Sequence, residues 1–217
     1  MRILVLRPEP GASETAARAR KLGLEPVVAP LFTVRALPWE APDPTAFDAV
    51  LLTSANAARH GGDELARLTV LPCYAVGEAT AQAARAAGFE NVAAGAADGL
   101  KRVLHLCGRD HVALAAAGVS VQRRIVYAAD AVEVLPPEAA GDAVAMLHSP
   151  RAGRMFAALV PDRSRVSIAA ISANAAEAAG EGWRRKAVAA EPRDQALLEL
   201  AARLCNIASP DTTGADR

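Results

Sequence analysis

Short apolar runs alternate with alanine-rich stretches of helical period along nearly the whole chain. Runs near 2–6, 24–34, 48–53, 71–76, 102–107, 119–128, 143–148, 166–171 and 186–190 read as strands. Between them, 12–22, 55–67, 78–87, 109–117, 151–159, 173–180 and 193–205 read as helices. Strands alternating with helices of this length imply an α/β chain whose parallel sheets are covered on both faces. Gly23, Gly88, Gly118 and Gly180 each close an Ala/Leu-rich run, where the left-handed position after a helix favours glycine. Gly61-Gly62 before Asp63 reads as a helix end or turn. With 217 residues and 52% hydrophobic content, the chain can bury one large core or two smaller ones of about 100 residues each.

The number of cores follows from an internal echo. Lys21-Leu22-Gly23-Leu24-Glu25 matches Ala116-Ala117-Gly118-Val119-Ser120, and Pro42 matches Pro137 at the same offset. Leu51-Leu52-Thr53-Ser54 matches Met146-Leu147-His148-Ser149, each an apolar strand ending in a serine at the turn into a helix. Ala75-Val76-Gly77 matches Ala170-Ile171-Ser172. Agreement of serines, glycines and prolines, beyond that of alanines, points to two similar α/β units. Segments 24–37 and 119–135 are longer than an ordinary strand, end in proline-rich stretches and occupy equivalent places in the two repeats. Long strands passing from one domain to another fit this pattern. The expectation is a discontinuous first domain, 1–30 plus 136–205, and an inserted second domain, 36–125. Segments 31–35 and 126–135 form a two-stranded hinge between them, and 206–217 form a disordered polar tail.

Charge and composition narrow the function classes. Twenty-four Lys+Arg balance 24 Asp+Glu, so no global field draws in nucleic acid or an anionic bilayer. No apolar run approaches the roughly 18 to 20 residues of a spanning helix. The opening Met1-Arg2-Ile3-Leu4-Val5-Leu6-Arg7-Pro8 reads as an immediate strand rather than a signal peptide. Cys73, Cys107 and Cys205 are odd in number and show no CxxC spacing, against both a disulfide framework and a zinc site. These features together suggest a cytoplasmic, monomeric protein with reduced thiols. His60, His105, His111 and His148 form no i,i+4 pair and no HExxH, so no metal site is expected. His148, beside Ser149, is placed to touch a ligand; the other three read as packing or surface residues. There is no GxSxG, P-loop or GxGxxG.

Several pieces, in order, are more specific together than any one alone. They begin with Leu4-Val5-Leu6-Arg7-Pro8, then Phe47-Asp48-Ala49-Val50-Leu51-Leu52-Thr53-Ser54-Ala55-Asn56-Ala57 and Tyr74-Ala75-Val76-Gly77-Glu78-Ala79-Thr80-Ala81. Leu104-His105-Leu106-Cys107-Gly108-Arg109-Asp110, Arg124-Ile125-Val126-Tyr127, Met146-Leu147-His148-Ser149-Pro150 and Ile171-Ser172-Ala173-Asn174-Ala175 complete the series. In order and spacing the chain resembles the uroporphyrinogen-III synthase family over most of its length. Two departures stand out. The turn at 171–176 lacks the family's usual Ile-Gly-Pro-Thr-Thr-Ala-like pattern, and His148 stands where a threonine or serine is common.

The resemblance implies two flavodoxin-like domains joined by a two-stranded ladder, with the active site in the cleft between them. It implies a cofactor-free cyclisation of hydroxymethylbilane, a linear tetrapyrrole bearing eight carboxylates, to uroporphyrinogen III with ring D inverted and water lost. Tyr127 is then the residue that assists departure of the hydroxyl. Its phenol O–H is a hydrogen-bond donor, as that role requires.

In a parallel sheet, strand C-termini and helix N-termini converge on one edge, where N–H groups and dipoles attract anions. Ser54, Gly77, Thr80, Ser149, Ser172 and Asn174 fall at such turns and are expected to bind substrate. Arg7, Arg109 and Arg151 follow strands at the same edge and suit bidentate carboxylate contacts; Asn56 adds a side-chain amide. Each serine is also explained by ordinary helix capping, and each arginine by a solvated surface. The alternative from another functional class is a two-lobed anion-binding or synthase-like regulatory protein without catalysis.

Overall fold

The computed structural model describes residues 2–94, 99–111, 114, 117–139 and 141–207. The strands are, in order, β1 (Arg2–Val5), β2 (Glu25–Val28), β3 (Phe32–Ala36), β4 (Ala49–Leu52), β5 (Cys73–Ala75) and β6 (Val92–Ala94). They continue with β7 (Arg102–Gly108), β8 (Ser120–Ala131), β9 (Ala143–Leu147), β10 (Val166–Ala170) and β11 (Arg185–Val188). The α-helices are α1 (Gly11–Lys21), α2 (Ala55–Arg59), α3 (Glu78–Ala86), α4 (Pro150–Leu159), α5 (Ala173–Ala178) and α6 (Asp194–Ile207). The chain divides into two compact units, 1–33 with 131–217, and 34–130. It passes from the first unit to the second within β3 and returns within β8, and these two strands are neighbours in one sheet.

The first unit holds a parallel sheet in the order β11-β10-β9-β1-β2. Every residue from Ile3 to Leu6 is fully buried, as a sheet covered on both faces requires. Alternation sends Ile3, Val5, Val144, Met146 and Ala169 to one face, against Leu197, Leu198, Ala201 and Leu204 of α6. Helices α4 and α5 pack against each other and against β9 and β10. The register sets Val5 opposite Met146, so Arg7 and His148 leave the sheet at the same level.

The second unit holds the order β3-β8-β7-β4-β5-β6. Its strands pair in parallel from β8 to β6. β3 runs antiparallel to β8, with Leu37 N donating to Val126 O at 2.9 Å and Val132 N to Leu31 O at 3.0 Å. Phe47, Val50, Leu52, Phe89, Leu104, Leu106 and Val126 form the core. Set beside β11-β10-β9-β1-β2, the series β6-β5-β4-β7-β8 repeats the same order of corresponding strands. β4 and β9 each lead into a serine-capped helix.

Several expectations about elements need correction. The run 24–34 is two strands, β2 and β3, in different sheets, broken around Pro30. The run 55–67 is α2 followed by a 3-10 helix, Asp63–Leu68, separated at Gly61-Gly62, where Gly62 takes a left-handed φ of 62°. Residues 109–111 are not helical, and 112–113 and 115–116 lie outside the described residues. Strand β6 was not expected; three residues offer too little alternation to read. Of the segment 206–217, Asn206 and Ile207 continue α6, and 208–217 lie outside the described residues.

Candidate active site

In the first unit, Arg7, Ser149, Arg151, Ser172 and Asn174 all lie at the C-terminal edge of the sheet, just past β1, β9 and β10. Ser149 Oγ accepts from Ala152 N at 3.1 Å and Ser172 Oγ from Ala175 N at 3.3 Å, so both serines cap their helices. Capping uses an oxygen lone pair and leaves the hydroxyl proton available. Asn174 is exposed on the first turn of α5. The Arg151 guanidinium stands 4.2 Å above the Phe32 ring, a cation–π contact within the same unit.

Arg7 is held from two sides. Its Nη1 donates to Asp194 Oδ1 at 3.1 Å. Its guanidinium lies on Gly11, where a Cβ would come within 2.5 Å of Nε. Asp194, at the start of α6, collects further donors: His148 Nε2 at 2.7 Å, Arg18 Nη2 at 2.6 Å and Thr15 Oγ1 at 3.0 Å. Burial pushes the Asp194 carboxyl up. The bonds from His148 and Arg18 and the charge of Arg7 outweigh it and hold the group well below the usual carboxylate range. His148 spends its Nε2–H on this carboxylate, and its Nδ1 is shielded with no partner among the described residues.

In the second unit, Ser54, Asn56, Gly77, Arg109 and Tyr127 lie at or beside the C-terminal ends of β4, β5 and β7. Ser54 Oγ accepts from Asn56 N at 3.2 Å. Gly77 precedes α3 with a left-handed φ of 83°, a conformation that side chains rarely adopt. Thr80, expected at the rim, is buried on the first turn of α3. Arg109 is exposed, and its Nη2 donates to Asp130 Oδ1 at 2.6 Å; Arg35 Nε meets Asp130 Oδ2 at the same distance. These bonds, from Arg35 first and Arg109 second, hold the Asp130 carboxyl low.

Tyr127 is half-buried on β8 directly opposite Gly108, and the His60 ring centroid is 6.3 Å from its own. Behind this edge, His105 is buried on β7 with Nε2 3.0 Å from Thr53 Oγ1. Burial, with the nearby His111 and Arg123 charges, lowers its pKa to about 4, so it is neutral at physiological pH. His111 Nδ1 donates to Gly108 O at 3.0 Å.

Sequence reasoning did not single out Asp194, Thr15 or Arg18. The only local sign was an acid opening a helix and a threonine and arginine three residues apart on one helix face, patterns common on any surface. What the two edges offer chemically is donors: capped hydroxyls, helix N–H groups, two anchored guanidiniums and a phenol.

Comparison with known proteins bears on this arrangement. The family described as uroporphyrinogen-III synthase HemD matches residues 13–199. No curated protein matches the chain significantly. The crystal structure of uroporphyrinogen-III synthetase from Helicobacter pylori is similar at 20% identity and a TM-score of 0.66, covering 94% of this chain and 98% of that one. A mutant uroporphyrinogen III synthase from the extremely thermophilic bacterium Thermus thermophilus aligns at 17% identity and a TM-score of 0.49, covering 95% and 99%. The Helicobacter likeness shows a shared α/β fold with parallel sheets.

Proposed function

The chain belongs to the uroporphyrinogen-III synthase family, and on that premise we propose that it closes hydroxymethylbilane to uroporphyrinogen III, inverting ring D and releasing water, as a cyclising lyase of tetrapyrrole (haem) biosynthesis. The observation that carries the reading is the family match over residues 13–199. The donor-bearing sheet edge in each unit supports it, since a flexible polyanion is best held by groups fixed in advance.

In this reading, substrate carboxylates meet donors from both units. Arg7, Arg151 and the helix starts at Ser149 and Ser172–Asn174 come from the first. Ser54, Asn56, Gly77 and Arg109 come from the second; Thr80 is buried and its N–H donates to Gly77 O at 3.1 Å, so it drops out of the binding set. The pyrrole nitrogen pushes electron density outward and the C–O bond of the hydroxymethyl group breaks. Tyr127 Oη–H donates to the departing oxygen, which leaves as water once protonated. Ring D attacks the resulting azafulvene carbon through its substituted position. The spiro intermediate fragments and recloses through the unsubstituted α-carbon of ring D with the ring inverted, and the proton that carbon loses on rearomatising restores the Tyr127 phenol. Holding the chain in one folded shape contributes on the order of 7–11 kcal/mol in favourable intramolecular cases. A donor to the leaving group adds about 10²–10⁴-fold. The pyrroles supply the electron push, so the reading calls for no cofactor.

The same reading takes 1–30 with 136–205 and 36–125 as flavodoxin-like domains, and the neighbouring strands β3 and β8 as the ladder about which they move. Among the described residues no helix is long and apolar enough to cross a membrane; the reading places the enzyme in the cytoplasm as a monomer. The test supplies hydroxymethylbilane and resolves the two uroporphyrinogen isomers. Spontaneous closure gives isomer I, so enrichment of isomer III above the blank supports catalysis. Isomer I alone, even with the bilane bound, rejects it in favour of a binding protein.

A further inference from the structure

We propose that Gly108 is a positioning residue: by lacking a side chain it seats the Tyr127 ring and fixes where the phenol oxygen points. This rests on the reading of Tyr127 as donor to the departing hydroxyl.

The seat is built by a break in the β7–β8 register. Cys107 pairs with Ile125, but Gly108 pairs with Tyr127, so Val126 is an extra residue in β8. Such a bulge re-aims the side chain that follows it. Val126 is fully buried in the core of the second unit, and Tyr127 is set directly across from Gly108. Arg109 N donates to Tyr127 O at 2.9 Å and locks the backbone just past the break. A Cβ on residue 108 would stand 2.6 Å from Tyr127 Cζ, 2.7 Å from Cε2 and 2.9 Å from Oη. The hydroxyl end of the ring therefore lies against Gly108, beside the end of β7. The His60 ring, at the end of α2, approaches from elsewhere at 6.3 Å between centroids.

Gly108 is not required by its own backbone. It is absent from the glycines with positive φ, unlike Gly62, Gly77 or Gly88, so any residue could adopt its conformation. Glycine in a strand often marks a place where something must approach closely. Here the approaching group is the Tyr127 ring, and every side chain larger than hydrogen displaces it.

The experiment compares Gly108→Ala, Tyr127→Phe, Tyr127→Ala and the double variant Gly108→Ala/Tyr127→Ala, measuring kcat and KM with hydroxymethylbilane. Gly108→Ala should lower kcat by roughly 10- to 100-fold, the cost of misplacing a reacting group by about 1 Å, with KM little changed. In the Tyr127→Ala background, where the ring is gone, the same substitution should cost less than about twofold. An unchanged kcat in Gly108→Ala overturns the inference, as does an equal loss in both backgrounds. If Tyr127→Phe turns over normally, the donor role itself fails, a result separate from either. Should Gly108→Ala not fold, meta-fluorotyrosine at Tyr127 of the Tyr74→Phe protein decides by fluorine NMR. A resonance displaced from the free amino acid and broadened by a held ring supports the seat, and a sharp resonance at the free position overturns it.

Discussion

Asp194 and His148 meet at 2.7 Å, imidazole Nε2 to carboxylate oxygen, across 46 residues of sequence. The same carboxylate holds Arg7, Arg18 and Thr15, so one acid ties the ends of β1 and β9 to α1 and α6. Asp194→Asn should therefore destabilise the protein at pH 7 by about 1.5–3 kcal/mol, the range for hydrogen bonds to charged groups. The folded carboxyl lies below the unfolded value of about 3.9. Its stabilisation is thus fully present above that value and is lost as pH falls through the folded one. Urea unfolding of both proteins at several pH values checks this: the gap should be constant near neutrality and shrink below about pH 4. Equal stability at pH 7 would sink the idea.

Arg7 is clamped before any ligand arrives, by Asp194 on one side and Gly11 beneath. Arg7→Gln should raise KM for the bilane by about 10- to 100-fold, the equivalent of one charge-assisted bond, while kcat changes less. Gly11→Ala pushes the guanidinium off its seat and should raise KM in the same direction, with a smaller effect on thermal stability. Steady-state kinetics on both variants tests the assignment, and an unchanged KM in Arg7→Gln removes Arg7 from the binding set.

Tyr127→Phe keeps the ring and its packing but removes the donor. Turnover should fall by about 10²-fold or more while bilane binding stays within about twofold, since phenylalanine fills the same space against Gly108. Single-turnover kinetics beside equilibrium binding separates the two. Parallel losses in both would make Tyr127 a binding residue instead.

His105 is buried and neutral, its pKa lowered to about 4 by desolvation. In the unfolded chain it titrates near 6.5. Its contribution to stability is present above that value and declines as pH falls toward the folded one, by about 1.4 kcal/mol per pH unit. Between pH 6.5 and 5 the unfolding free energy should drop by roughly 2 kcal/mol from this group, and His105→Leu should flatten that slope. Denaturant titrations at both pH values measure it; identical slopes in the two proteins would count against the assignment.

Gly153 sits inside α4, where glycine is ordinarily the worse choice by about 1 kcal/mol relative to alanine. Here a Cβ would meet Ala175 O at 2.7 Å and Ala179 N at 3.0 Å, both backbone atoms at α5. Close packing overrides propensity, and Gly153→Ala should destabilise by about 1–3 kcal/mol. A rise in Tm would show that the helices separate freely.

Local patterns carried their weight in the sequence. Serine at a strand-to-helix turn signals a cap without reference to anything distant, and Ser54, Ser149 and Ser172 all cap in that way. The offset that paired Thr53-Ser54 with His148-Ser149 follows the matched order of strands in the two sheets. What escaped depends on partners far along the chain. An uninterrupted apolar tone through 24–34 hides two strands because Pro30 is a weak breaker in extended backbone, and which sheet each strand joins is decided by β1 and β8. Thr80 reads as a rim donor from its turn but is turned inward by α3. Asp194 looks like any acid opening a helix. Gly108 looks like a turn after a strand; only the register slip beside it reveals that it faces an aromatic ring.

The route of the chain through β3 and β8 also sets an order of biosynthesis. Strand β1 has β2 on one flank and β9 on the other, and β9 emerges from the ribosome only after the whole of 34–130 has been made. The contiguous second unit can thus mature during translation, whereas β1 waits with one hydrogen-bonding margin open until Ala143–Leu147 arrive.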